Sequence, residues 1–198
     1  GNAFREFGQI DRSIEHFKKA IEIKPNYLEA FSNLGISLIA KGQYIEAIKC
    51  FDKAIQLRPS FSEAHNNIGN ALTYLGKLNE SEAAYKRAME LSPSFYEPFF
   101  NMSLLRLKRK EWAAGWKGYE YRFDVKKDAV DKFIYQKPRW DKKFVEKLFV
   151  GAEQGVGDEI MFASCIDELR HYTDRLIVSC DERLLPLYNR SFDQSISF

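Results

Sequence analysis

Six residues near the end of the chain, Gly155-Val156-Gly157-Asp158-Glu159-Ile160, carry part of a dinucleotide-binding pattern. They follow an apolar run, 147–153, that reads as a buried strand, and precede an apolar-striped helix expected from about 158 to 172. Gly155 and Gly157 shape the turn and let backbone N–H groups approach an anion at the helix N-terminus. A dinucleotide fingerprint needs a third glycine where Ile160 stands, and it would use Asp181, at the end of a second strand over 175–180, as its ribose acid. The Asp158-Glu159 pair opposes that reading, because two acids at a helix N-terminus repel a pyrophosphate. Asp158 also suits a plain helix cap, a role aspartate performs well.

No other cluster of reactive side chains stands out. His16, His65 and His171 lie far apart and form no HExxH, so the sequence offers no metal site. Cys50, Cys165 and Cys180 form no CxxC. They read as buried structural thiols in a reducing compartment.

The elements that would position the glycine turn run strand, turn, helix, strand. A short helix follows over 181–191, and a third strand begins at 195–198. That order predicts a right-handed βαβ unit of a parallel sheet, a partial Rossmann-like segment over 147–198. Three strands with an open edge do not complete a domain, so the chain is expected to stop inside it.

The larger part of the chain is organised by a repeat. Pro25, Pro59 and Pro93 are spaced 34 apart, and Gly8, Gly42 and Gly76 share that spacing. So do Ala20, Ala54 and Ala88; Phe17, Phe51 and Tyr85; and Gly1, Gly35 and Gly69. Each unit reads as two antiparallel helices, about 28–41 and 45–58 in the second. Gly42 closes the first helix through a left-handed conformation, and Pro59 stops the second. Gly35 and Ala47 are small so that the helices approach closely, and Ala54 does the same against the next unit. Phe31, Leu34, Leu38, Phe51 and Ile55 form the core stripe, which only stacking of neighbouring units can bury. The fourth unit departs: Ser103, Lys110, Gly115 and Arg122 replace the glycine, the turn glycine and the two alanines. Its second helix, "EWAAGWKGYEYRF", is expected to cap the array and to offer a docking surface.

Leu34-Gly35, Ala47, Phe51, Ala54 and Pro59 resemble the tetratricopeptide pattern, as do Ile68-Gly69, Tyr85, Ala88 and Pro93. The resemblance implies a mainly α right-handed superhelix of antiparallel helix pairs over 1–125. About three and a half repeats are expected, with the first truncated and others preceding it. The wording "AHNNIGNALTYLGKLNESEAAYKRAMELSPSF" is similar to the repeats of O-linked N-acetylglucosamine transferases. In that subclass an asparagine at the sixth position of each first helix lines the concave face and grips the backbone of a bound peptide. The matching positions are Asn33, Asn67 and Asn101, with Asn70 added as a groove residue. The alternative is a set of solvated polar positions. A carboxamide both donates and accepts, so it can pair with any peptide group.

A second resemblance covers residues 112–198. "PRWDKK" and "KLFVGAEQGVGDEIMF" are similar to the junction where such repeats are fused to a glycosyltransferase domain related to the heptosyltransferases. It implies that Asp158 is the base activating an acceptor hydroxyl, with its charged form favoured at a helix N-terminus. It also implies a sugar nucleotide bound by a later domain, no cofactor in this stretch, and no activity from it alone. Ser164 departs from the pattern, where the heptosyltransferases have proline.

The bulk numbers agree with a folded chain: 45% of residues are apolar and 15% aromatic. No run is long enough to cross a membrane, and a cytoplasmic location is expected. Charge is uneven: 12 basic and 12 acidic residues in 1–105, 14 and 7 in 106–147, and 4 and 9 in 148–198. The excess marks 126–146 as a basic connector, read as solvated more than as an anion site, with no nucleic-acid partner. The expected partner is a protein or extended peptide in the concave groove. A pure scaffold without catalysis is the alternative.

Overall fold

The computed structural model describes residues 1–125, 140–151, 163–193 and 195–198. The chain divides into two compact units, Gly1–Lys127 and Asp128–Phe198.

The first unit is a run of helices: α1 (Asn2–Glu6), α2 (Ile10–Ile23), α3 (Leu28–Ala40), α4 (Tyr44–Leu57), α5 (Ser62–Tyr74), α6 (Leu78–Leu91), α7 (Glu97–Lys108), α8 (Trp112–Tyr119) and the single turn α9 (Arg122–Val125). They pack as consecutive pairs, and the stops are set by the residues the repeat marks. Lys24, Arg58 and Ser92 each precede a proline and take extended dihedrals (φ −132, −143 and −147°), which end α2, α4 and α6. Gly8, Gly42 and Gly76 sit at φ +72, +80 and +76°. Gln43 N–H then donates to Leu38 C=O at 2.9 Å and Gly42 N–H to Ile39 C=O at 2.9 Å, satisfying the last carbonyls of α3. The fourth pair builds the same cap with Lys110 at φ +64° in place of glycine.

Ala47, Phe51 and Ala54 on α4 are fully buried, and Leu34 and Leu38 on α3 nearly so. Phe31 and Ile55 are half-buried against that core. A Cβ on Gly35 would lie 2.6 Å from the Phe51 ring, and one on Gly69 would lie 2.4 Å from the Tyr85 ring. The missing side chains are therefore what lets each aromatic ring fill its pair. The aromatic helix of the fourth pair only partly covers the core. Tyr119 packs on Phe100 and Tyr121 on Phe99, but Trp112 and Trp116 remain 56% and 54% exposed.

The second unit holds a parallel sheet of β1 (Val145–Val150), β2 (Thr173–Val178) and β3 (Ile196–Ser197), in the order β1-β2-β3. Leu148 pairs with Leu176, which pairs with Ile196, and all three are buried with Val178. The connection into β2 corrects the expected helix over its described residues, 163–172. Its described part is a 3₁₀ turn (Ala163–Cys165), one α turn, α10 (Ile166–Leu169), and another 3₁₀ turn (Arg170–Tyr172). Among the described residues of that segment, Ala163, Ile166 and Leu169 pack on the core of this unit, and 158–162 lie outside the described residues. The 181–191 segment is a 3₁₀ turn leading into α11 (Leu185–Ser191), whose Tyr188 is buried.

Candidate peptide-binding trough

The first helices of successive pairs, α3, α5 and α7, shape an open trough of about 480 Å³. Its floor is apolar, made by Leu28, Ile36, Phe61 and Phe95, and its polar lining includes Asn33, Asn66 and Asn67. The loops before α5 and α7 supply Arg58, Phe61 and Phe95, held in place by the proline-marked ends of α4 and α6. The Arg58 guanidinium lies 4.4 Å from the Phe61 ring centre, a cation–π contact that keeps the arginine along the wall.

The four asparagines singled out in the sequence have different fates. Asn33 and Asn67 line the same trough. Asn33 donates to its own helix at Glu29 C=O (2.9 Å) and accepts from Arg5 (3.3 Å). Asn67 is half-buried and makes no hydrogen bond with the described residues. Asn101 instead donates to Asn66 Oδ1 at 3.0 Å, tying α7 to α5. Asn70 accepts from the Tyr85 hydroxyl at 2.7 Å, and burial pushes the Tyr85 phenol pKa up. The carboxamide of Asn70 is therefore engaged inside the α5–α6 pair.

A tetratricopeptide-family model matches the chain over residues 62–95, and a TPR-repeat model matches 1–39 and 35–73. Residues 1–95 are tetratricopeptide repeats. FlbA of Caulobacter vibrioides is 31% identical over 83 residues, 39% of this chain and 14% of that protein. The matched stretch thus spans a small part of FlbA. The second TPR domain of human RPAP3, solved with the HSP70 peptide SGPTIEEVD, superposes with a TM-score of 0.51 at 29% identity, covering 54% of this chain and 88% of that one. A thermophilic TPR protein of Thermus thermophilus superposes at 0.59 with 19% identity, covering 68% and 74%, which shows the shared fold.

Within these TPR repeats the period also carries columns that the motif reading missed. Glu29, Glu63 and Glu97 line the trough at 34-residue spacing, as do Phe61 and Phe95. The spacing that revealed the glycines and prolines was present in these charged and aromatic columns too. Asn66, 5% exposed, had no such signal, since Ser32 and Phe100 occupy its equivalent positions.

Beyond the repeats, Asp158, Gly155 and Gly157 lie outside the described residues, as do Pro138, Glu153 and Gln154. Trp140 is described. Its indole N–H donates to Lys143 C=O at 2.6 Å, and its ring meets Tyr172 edge-on. Asp181 is taken up locally: Arg183 donates to both carboxylate oxygens at 2.8 Å and through its backbone N–H at 2.9 Å. Those bonds hold the Asp181 pKa down to about 2. Cys165 is exposed and Cys50 and Cys180 are half-buried, against the expectation of three buried thiols; in the turn that carries Cys165, it is Ala163 that packs on the core. Cys50 is half-buried, and desolvation raises its pKa to about 11, which leaves it a poor nucleophile at neutral pH. No helix among the described residues is long and apolar enough to cross a membrane.

Proposed function

We propose that this chain is a protein-binding repeat module whose trough holds an extended stretch of a partner polypeptide. The observation that carries this is the placement of Asn33 and Asn67 in one trough over an apolar floor, with the Asn67 carboxamide unspent. Apolar residues of the partner would gain from the Ile36, Phe61 and Phe95 surface, while carboxamides pair with peptide groups of any sequence. The peptide complex of the RPAP3 domain, built on the same helix pairs, supports the reading. Replacing Asn67 by alanine removes about one hydrogen bond and weakens peptide capture about three- to tenfold, with helicity by circular dichroism unchanged. Unchanged affinity for every peptide bound by the parent chain would overturn the role of Asn67.

The finer reading is that the trough positions its guest for a glycosyltransferase-like domain that uses Asp158 as base. The Glu153-Gln154-Gly155-Val156-Gly157-Asp158 run and the parallel strand order support it. Calorimetric titration of a sugar-nucleotide panel into a chain extended past Phe198 tests it. Binding that the 198-residue chain lacks supports the transferase reading. Silence from both reduces the protein to a scaffold.

A further inference from the structure

The three equivalent asparagines have different partners, and the residue 28 positions before each one accounts for the difference. For Asn33 that residue is Arg5 of α1, whose guanidinium donates to the Asn33 oxygen at 3.3 Å. For Asn67 it is Ile39, an apolar side chain packed against the core with no polar group to offer. For Asn101 it is Thr73, whose hydroxyl donates to Gly69 C=O (3.0 Å) and shares hydrogen bonds with Ser81 (2.7 Å) and Tyr85 (3.3 Å). Thr73 is thus occupied inside the α5–α6 pair, and Asn101 bonds to Asn66 instead.

Arg5 changes what Asn33 can do. A carboxamide has two N–H donors and one acceptor oxygen. The Asn33 oxygen meets a cation, and one of its N–H groups is taken by Glu29 C=O at 2.9 Å. One N–H remains, beside a half-buried guanidinium that has further N–H groups of its own and joins no ion pair among the described residues. Both call for an oxygen. An incoming N–H would meet the positive charge of Arg5, so a carbonyl is favoured there and an amide hydrogen is not.

We infer that Arg5 is a positioning residue of the trough: it holds Asn33 as a donor, so that a guest polypeptide presents a main-chain carbonyl at that end. This rests on the peptide-binding reading above and adds a polarity to it. Asn67, with Ile39 as its neighbour, takes either a C=O or an N–H. The trough therefore has one selective contact and one permissive one.

The test uses the 198-residue chain and one labelled, end-capped peptide, Leu-Ser-Ala repeated three times, followed by fluorescence anisotropy. Its leucines suit the apolar floor, and it carries no charged side chain to meet Arg5 directly. Arg5→Met weakens binding about threefold in the wild-type chain and leaves it unchanged in an Asn33→Ala background. Arg5→Lys recovers most of the loss. Arg12→Met removes another cation of the first pair, one that lies 4.2 Å from the Phe4 ring centre, and has no effect. The donor role is read separately. Asn33→Asp, which leaves only acceptors, costs at least as much as Asn33→Ala, whereas Asn67→Asp keeps part of the affinity that Asn67→Ala loses. Helicity by circular dichroism stays constant across the set. An equal Arg5→Met loss in both backgrounds overturns the inference, since Arg5 would then act without Asn33. Tighter binding by Arg5→Met overturns it too, by making Arg5 a competitor of the guest, and so does full affinity in Asn33→Asp. If Asn67→Ala still weakens binding, the peptide-binding reading survives those outcomes. Failure of the peptide to bind overturns both.

Discussion

The second and fourth helix pairs solve one packing problem in opposite ways. In the second, the first helix lacks a side chain at Gly35 and receives the fully buried Phe51 ring from α4. In the fourth, the equivalent position on α7 is Ser103, itself buried, and the missing side chain has moved to Gly118 on α8. A Cβ there would lie 2.9 Å from that of Ser103. Away from the crossing, Tyr119 is only half-buried and packs on Phe100 of α7 and on Trp116. A helix pair needs one absent Cβ at its crossing, and either helix can supply it. The aromatic ring follows, filling the core in one case and spreading onto the surface in the other.

The largest expected effect separates the two rings. Phe51→Ala should cost about 4 kcal/mol in urea denaturation, because it empties a fully buried site, while Tyr119→Ala should cost about 2 or less. Equal losses would mean that the fourth pair is as tightly built as the second, and the contrast would collapse.

A smaller effect concerns the turns. The caps after α3 and α7 make the same two hydrogen bonds, yet one uses Gly42 at φ +80° and the other Lys110 at φ +64°. A left-handed conformation costs a side-chain-bearing residue about 1–2 kcal/mol. Lys110→Gly should therefore stabilise the chain by about 1 kcal/mol, and Gly42→Ala should destabilise it by a similar amount. A neutral or harmful Lys110→Gly would show that the lysine side chain contributes contacts that offset its backbone cost.

The smallest effect lies at the junction between the third and fourth pairs. Ile14 joins the core between the first and second pairs, whereas the residue two periods on, Glu82, pairs with Arg109, which caps the end of α7, and with Lys86 (2.8 Å). Hydrogen bonds from Lys86 and Arg109 hold the Glu82 pKa below its usual 4.5. A depressed carboxylate stabilises fully above the unfolded value and loses that contribution as pH falls through the folded one. About 0.5 kcal/mol should thus disappear below about pH 4.5, and Glu82→Gln should remove that part of the acid dependence. An unchanged acid limb in the variant would assign the pH dependence elsewhere.

Much of this was legible in the chain. The 34-residue period marked the turn glycines, the prolines that end α2, α4 and α6, and the columns that hold Gly35 and Gly69 and that hold Phe51 and Tyr85. These are decided by residues close in sequence or by one repeated pairing, so local chemistry suffices. The α/β part was read less well. Its strands emerged near their expected places, but the described part of the helix expected through 172 is broken into short turns. Apolar spacing suggested a helix there, without revealing that its described part would alternate 3₁₀ and α turns.

The asparagines show the boundary most sharply. The sequence by itself determined that Asn33, Asn67 and Asn101 are equivalent positions, since a period fixes equivalence. The tertiary structure alone decided that Asn67 stays unspent, that Asn101 bonds to Asn66, and that Asn70 serves Tyr85. A hydrogen bond depends on which group stands about 3 Å away across a helix interface. The partners here lie 35 and 15 residues away, and no period along one chain names them.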